Sequence, residues 1–122
     1  MLSVTHRFHG HGSLRYVYKN GQAIRSRLVT IKHVTNPRRR HSRFSVVVSK
    51  KVHKSAVGRN RIRRRVYEVV RQELPQFTAT HDVAILVFSS ELITLPSDEL
   101  QTMLRDLFAQ AGLYSSSSSN VR

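Results

Sequence analysis

The sequence predicts an α+β domain, a small mixed sheet with helices packed on it, in the order α-β-β-β-α-β-α. Three observations carry this. Residues 26–35 and 43–51 alternate with β-branched residues, as half-buried strands do. "VAILVF" (83–88) is a continuous apolar run of strand length. Three other segments repeat apolar residues at helical spacing. No internal repeat or Pro/Gly-rich linker divides the 122 residues. A single domain is therefore expected over 1–114, followed by a low-complexity serine tail at 115–122 that is expected to be disordered.

The elements follow in order. In "SLRYVYKNG" (13–21), Leu14, Val17 and Tyr18 fall at i, i+3 and i+4, and Gly21 is a plausible helix end. A short strand is expected at 23–25. "SRLVTIKHVT" (26–35) and "RFSVVVSKK" (43–51) flank the basic turn "NPRRRHS", so the two are expected to form an antiparallel hairpin. Phe44 alternates with Val46 and Val48, and their shared side is either core or the floor of a cleft. A helix is expected over 55–73, ended by Pro75. After the buried strand comes "SDELQTMLRDLFAQAG". Ser97 is expected to cap this last helix, with Asp98 and Glu99 in its first turn. Leu100, Met103, Leu104, Leu107, Phe108 and Ala111 form a core stripe, and Gly112 ends it.

Charge points to function. The chain carries a formal net charge of +14. Residues 1–72 hold 19 Lys/Arg against one acid, Glu68, while residues 73–122 hold two against six. Such asymmetry calls for a polyanion, and nucleic acid is the leading partner. No apolar run approaches the roughly 18–20 residues of a membrane span, so no membrane partner is expected. There is no cysteine, which excludes disulfides and zinc-thiolate sites. With no signal peptide evident, a cytoplasmic protein is expected.

The charge concentrates in "VGRNRIRRRVYEVVR" (57–71), which has six arginines. On a helical wheel, Ile62, Val66, Val69 and Val70 share one arc and form the core face. Asn60, Arg61, Arg64, Arg65, Glu68 and Arg71 lie opposite, with Arg59 and Arg63 at the border. An ordinary solvated face would mix acids and bases in i,i+4 pairs. Here Glu68 is the one acid. Arginine also grips phosphate with two parallel hydrogen bonds and stacks on bases. Upstream, Lys50, Lys51 and Lys54 add charge where strand leads into helix. As strand-end neighbours, Lys50 and Lys51 are expected to point to opposite faces. Ser49 and Ser55 either donate to phosphates or cap and turn the chain.

"VSKKVHKSAVGRNRIRRRVYEVVR" closely resembles the signature of the protein subunit of bacterial ribonuclease P, a strand ending Ser-Lys-Lys and a helix opening Arg-Asn-Arg. "HRFHGHGSLRYVYKNG", "HDVAILV" and the Leu-rich last helix follow the family's order, so the resemblance covers about residues 5 to 113. Three departures stand out: Leu14 replaces the family's first aromatic, Phe8 the leucine before it, and Ser45 its usual glycine. The resemblance implies that the protein joins a catalytic RNA and helps to cut the 5′ leader from precursor tRNA. It implies catalytic-RNA contacts at Arg59, Asn60, Arg61, Arg63, Arg64 and Arg65. Leader or precursor-tRNA contacts would be Leu14, Tyr18, Phe44, Ser49, Lys50 and Lys51, in a cleft between the arginine helix and the sheet. It further implies Mg²⁺ bound mainly by the RNA, one protein per RNA, and a left-handed β-α-β crossover, against the usual preference.

The residues themselves agree with an RNA-centred chemistry. No carboxylate pair recommends itself as a nuclease metal site: Asp98 and Glu99 diverge as helix neighbours, and Asp82 precedes its strand alone. No catalytic residue and no protein-bound metal is therefore expected. His6, His9 and His11 suit phosphate proximity or solvation better than a metal. His33, His41 and His53 lie in basic surroundings as expected RNA contacts. The alternatives are a structural ribosomal or other RNA-binding protein without a processing role, a DNA-binding regulator, and a stand-alone protein nuclease.

Overall fold

The computed structural model describes residues 11–35, 42–77 and 80–114. His6, His9, residues 36–41 of the basic turn (His41 included) and the serine tail lie outside them. Among the described residues, helices α1 (His11–Asn20), α2 (Ala56–Glu73) and α3 (Ser97–Gln110) accompany strands β1 (Gln22–Arg25), β2 (Val29–Thr35), β3 (Arg43–Val48) and β4 (His81–Val87). The expected order of elements is present. Single 3-10 turns at Leu74–Gln76 and Ser90–Ile93 follow α2 and β4.

The sheet order is β1-β2-β4-β3, which overturns the expected hairpin of β2 with β3. β2 instead runs antiparallel to β1 and β4, while β3 pairs parallel with β4, Phe44 beside Val83 and Val46 beside Ile85. The reason lies in composition. β4 buries Val83, Ile85 and Val87 on one face and Ala84 on the other, and a strand buried on both faces belongs in the middle of a sheet. β3 reaches it through α2, a β-α-β crossover of neighbouring parallel strands.

One face of the sheet carries the main core. Val29 and Ile31 of β2, Phe44, Val46 and Val48 of β3, and Val83, Ile85 and Val87 of β4 pack with Ile62, Val66, Val69 and Val70 of α2 and Leu100, Leu104, Leu107 and Phe108 of α3. Both helical stripes are therefore as expected. Phe44 stacks on Phe77 (centroids 5.4 Å) and meets Phe108 edge-on. Tyr67, outside the expected arc, is also buried, and its hydroxyl accepts the Val46 N–H of the edge strand (3.1 Å). Satisfying that amide inside the core avoids the cost of an unpaired buried donor.

Helix ends follow local chemistry with one exception. Ser55 caps α2, its hydroxyl accepting the Gly58 N–H (3.1 Å). Gly112 takes the left-handed conformation (φ 82) just past α3. Ser97 does not cap α3. It is the first helical residue, Pro96 holds the cap position, and the Asp98 carboxylate accepts the Glu99 N–H (3.0 Å).

α1 covers the other face. Val17 is buried against Ala84, with Leu14, Val34 and Leu86 around them. Gly21 lets the chain turn directly into β1. Its N–H bonds to the Val17 carbonyl (2.8 Å), and a Cβ there would sit 2.5 Å from that oxygen and 2.9 Å from the His33 carbonyl.

Candidate nucleic-acid interface

α2 is the most basic element, and the structure divides its arginines into two kinds. Arg65 is half-buried and donates to the main-chain carbonyls of Leu92, Ile93 (2.9 Å) and Leu95, fastening the 3-10 turn after β4 to the helix. Arg59 donates to the carbonyls of His53 (3.0 Å) and Lys54 (2.9 Å). Arg63 donates to Asn60 Oδ1 (2.6 Å). Arg71 chelates Glu68, and this hydrogen bonding holds the Glu68 carboxyl down at about 2. Arg61 and Arg64 are exposed and have no hydrogen-bond or ion-pair partner among the described residues.

The division is geometric. Arg65 lies four residues after Arg61 on the wheel, yet it leans towards the segment that α2 packs against. Arg61 and Arg64 stand a little further round and meet solvent. Of the six sequence-predicted RNA contacts, Arg61 and Arg64 keep their guanidinium groups unengaged. Arg59, Asn60, Arg63 and Arg65 spend donors or acceptors inside the fold.

The segment before α2 adds charge. Ser49, Lys50, Lys51 and Lys54 are exposed. β3 stops at Val48, and Ser49 to Val52 form a turn closed by the Val52 N–H on the Ser49 carbonyl (3.0 Å). The opposite-face expectation for Lys50 and Lys51 therefore loses its basis, because it assumed strand alternation where the backbone turns. His53 is tied into this junction: its Nδ1 accepts the Ser55 N–H (3.2 Å), and its ring lies where a Cβ on Gly58 would be, 2.2 Å away.

Among the described residues, apolar side chains of the core fill the space between the inner face of α2 and the sheet. Phe44, 0% exposed, belongs to this core and cannot stack on a base. Of the other predicted leader contacts, Ser49, Lys50 and Lys51 lie in the exposed turn before α2, while Leu14 and Tyr18 sit with α1 on the opposite face. Leu14 is half-buried, whereas Tyr18 is 37% exposed. Beside Tyr18 stands Lys32 of β2, whose Nζ donates to the Tyr18 carbonyl (2.8 Å) and lies 5.8 Å from its ring centroid. Sequence reasoning missed Lys32. The available signal was one basic residue inside an alternating apolar strand, on the side away from Ile31. On the same face Arg43 grips Asp82 through two hydrogen bonds (2.9 and 2.7 Å), cancelling one basic charge.

His33 is not a surface contact. It is 7% exposed, its ring stacks on His81 (centroids 5.2 Å), and the two Nδ1 atoms are 3.2 Å apart. Its Nε2 is buried without a hydrogen-bond partner. Burial pushes both imidazoles below the usual histidine range. The neighbouring His33 ring lowers His81 further, and Asp82 partly opposes this.

An open groove of about 830 Å³ runs between α2 and the start of α3, lined among others by Arg61, Arg64, Val69, Asp98, Leu100 and Gln101. Among the described residues no three His, Cys, Asp or Glu side chains come together in a way that could hold a metal ion. No helix is long and apolar enough to cross a membrane, again among the described residues.

Comparison with known proteins gives a consistent result. The family model described as Ribonuclease P matches residues 2–112. The ribonuclease P protein component of Chloroflexus aurantiacus is 44% identical over 80 residues, 66% of this chain and 58% of that protein. The chain thus spans under two thirds of that relative's length. The component from Synechocystis is 33% identical over 97 residues, 80% of this chain and 77% of that one. Among solved structures, the Staphylococcus aureus RNase P protein superposes with a TM-score of 0.79 at 21% identity, covering 90% of this chain and 98% of its own. The Thermotoga maritima protein does so at 0.77 and 20%, covering 85% and 96%. At such identity the two structures establish the α+β fold with its mixed sheet.

Proposed function

The chain belongs to the ribonuclease P protein family, and from that premise we propose that it is the protein subunit of a ribonuclease P ribonucleoprotein. In this role it binds the catalytic RNA and the 5′ leader of precursor tRNA, and it assists endonucleolytic removal of the leader to leave the mature 5′ end. One chain serves each RNA.

The observation that carries the reading is the outward face of α2. Arg61 and Arg64 project unengaged from a helix whose opposite side is sealed in the core, with exposed Lys50, Lys51 and Lys54 beside its start. A polyanion that docks there meets preformed charge without breaking any ion pair. Phosphate contacts of this kind supply affinity and orientation but little sequence preference.

The leader is held on the α1 face of the sheet, not against α2. Tyr18 offers a partly exposed ring for one base, and Lys32 beside it offers a cation for the adjoining phosphate. Stacking plus backbone charge is how single strands are held without regard to sequence. Leu14 contributes apolar packing only. The two surfaces lie on opposite faces of one sheet, so the protein can hold RNA and leader at once. The reading leaves the Mg²⁺ ions of the reaction with the RNA.

The test is reconstitution of the chain with its organism's ribonuclease P RNA and a precursor tRNA at low Mg²⁺. The expected result is cleavage at the mature 5′ end that needs both protein and RNA, because basic side chains replace counterions. Cleavage by the purified chain alone, or RNA-dependent cleavage indifferent to the protein, would overturn the reading.

A further inference from the structure

A helix that only grips phosphates leaves the groove between α2 and α3 without a purpose. Its walls differ in kind. Arg61 and Arg64 stand along the α2 side, and Asp98 stands on the α3 side. Val69 and Leu100 close the floor between them. For a phosphate alone, Asp98 is in the wrong place, since it repels the anion that the arginines attract. For an entire nucleotide, the same arrangement is complementary: cations for the phosphate, an apolar floor for the ring, acceptors for the base edge.

The acceptors have a definite character. Gln101 gives one amide N–H to the buried Glu73 carboxylate (2.9 Å), which leaves its oxygen and one N–H for a ligand. Asp98 is a carboxylate and accepts only. Two neighbouring acceptors suit a base edge with two neighbouring donors. The Watson–Crick edge of guanine, with its N1–H and exocyclic amino group, has that pattern. Uracil offers a single N3–H. The other charged groups on the groove are already engaged: Glu68 is paired with Arg71, and Arg65 keeps its charge but commits its donors to three carbonyls.

We propose that the groove between α2 and α3 binds one unstacked guanine nucleotide of the partner RNA, its phosphate on Arg61 and Arg64 and its base edge on Asp98 and Gln101. This deepens the reading of α2 as the RNA-facing helix and rests on it. It also brings the acidic half of the chain into the interface, where it supplies base preference that arginines on a backbone cannot.

The experiment is an NMR titration of the isotope-labelled full chain with GMP, UMP and inorganic phosphate, on the natural sequence and on Asp98→Asn. Asparagine keeps an oxygen for the Glu99 N–H, so the helix start is retained. On the natural chain, GMP is expected to shift the methyl signals of Val69 and Leu100 and the amides of residues 97–101, while phosphate shifts only the arginine side chains. In Asp98→Asn, GMP affinity is expected to fall about fivefold or more, as loss of a bidentate base-edge contact does, while phosphate affinity holds or rises. If GMP, UMP and phosphate give one and the same map, or if Asp98→Asn tightens GMP as it tightens phosphate, the proposal is wrong. The nucleotides need no catalytic RNA. Failure here with RNA binding intact removes the guanine site alone, whereas failure of the natural chain to bind the RNA removes the reading beneath it.

Discussion

Replacing Arg65 by alanine should weaken the fold and leave RNA binding almost untouched, the reverse of what replacing Arg64 should do. Arg65 donates to three carbonyls of residues 92, 93 and 95, which lie 27 to 30 residues away in sequence. Hydrogen bonds to a charged group contribute about 1.5–3 kcal/mol each when buried. Here the site is half-exposed and water can reach the carbonyls after truncation, so the three together are worth about 2 kcal/mol. For a domain of this size that is a fall in Tm of roughly 6–10 °C. Lysine at this position should recover little, since one ammonium cannot span three carbonyls. Arg64→Ala removes an unengaged exposed charge, so its stability should stay within about 0.5 kcal/mol of the natural chain. Its RNA affinity should drop, and the slope of log K against log salt should fall by about one unit. Thermal melts and salt-dependent RNA binding on the two variants decide the matter. A stable Arg65→Ala protein whose salt slope falls as much as that of Arg64→Ala would refute the division of α2 into tethering and RNA-facing arginines.

Tyr18→Ala should reduce the ratio of precursor to mature tRNA affinity of the reconstituted complex about tenfold, the effect of one stacked base at ~1–3 kcal/mol; an unchanged ratio would place the leader elsewhere. The His33–His81 pair should make stability depend on pH. Both folded-state pKa values lie below the usual 6.5, so the unfolded chain takes up protons first as pH falls. The stabilising contribution is complete above about pH 6.5 and is lost progressively as pH drops towards the folded values. Denaturation midpoints of His33→Leu across this range should show a shallower acid slope than the natural chain, and an equal slope would exclude the pair as its source. Gly21→Ala should cost about 1–3 kcal/mol, since a Cβ only 2.5 Å from the Val17 carbonyl must push α1 off β1 and β2; a chemical denaturation curve that matches the natural one would show that the turn relaxes freely.

By itself the sequence determined what depends on neighbours within a turn or two of chain. Helix α2 begins at the Ser55 cap and stops before Pro75 because capping and proline sterics act over three or four residues. The stripes of α2 and α3 were legible because helical spacing is a local rule, and so was the basic character of α2, which is composition. Two failures are local, at the Ser97 cap that Pro96 holds instead and at Lys50 and Lys51, where a turn replaces the strand; the larger ones are non-local. The hairpin of β2 with β3 looked natural from their short separation, but β4, apolar on both faces, takes the position between them. Sheet order is settled by which strand gains most from two-sided burial, and no window of sequence contains that comparison. Phe44 and Val46 alternate identically whether their face meets helices or solvent, so only the packing of α2 and α3 assigned Phe44 to the core. Arg64 and Arg65 are the same residue type one position apart. What separates them is the segment 92–95, nearly 30 residues on, whose carbonyls come within reach of one guanidinium and not the other. Periodicity tells which residues face outward; it takes the tertiary structure to say which outward charges still have a free hand, because hydrogen-bond partners are found in space rather than along the chain.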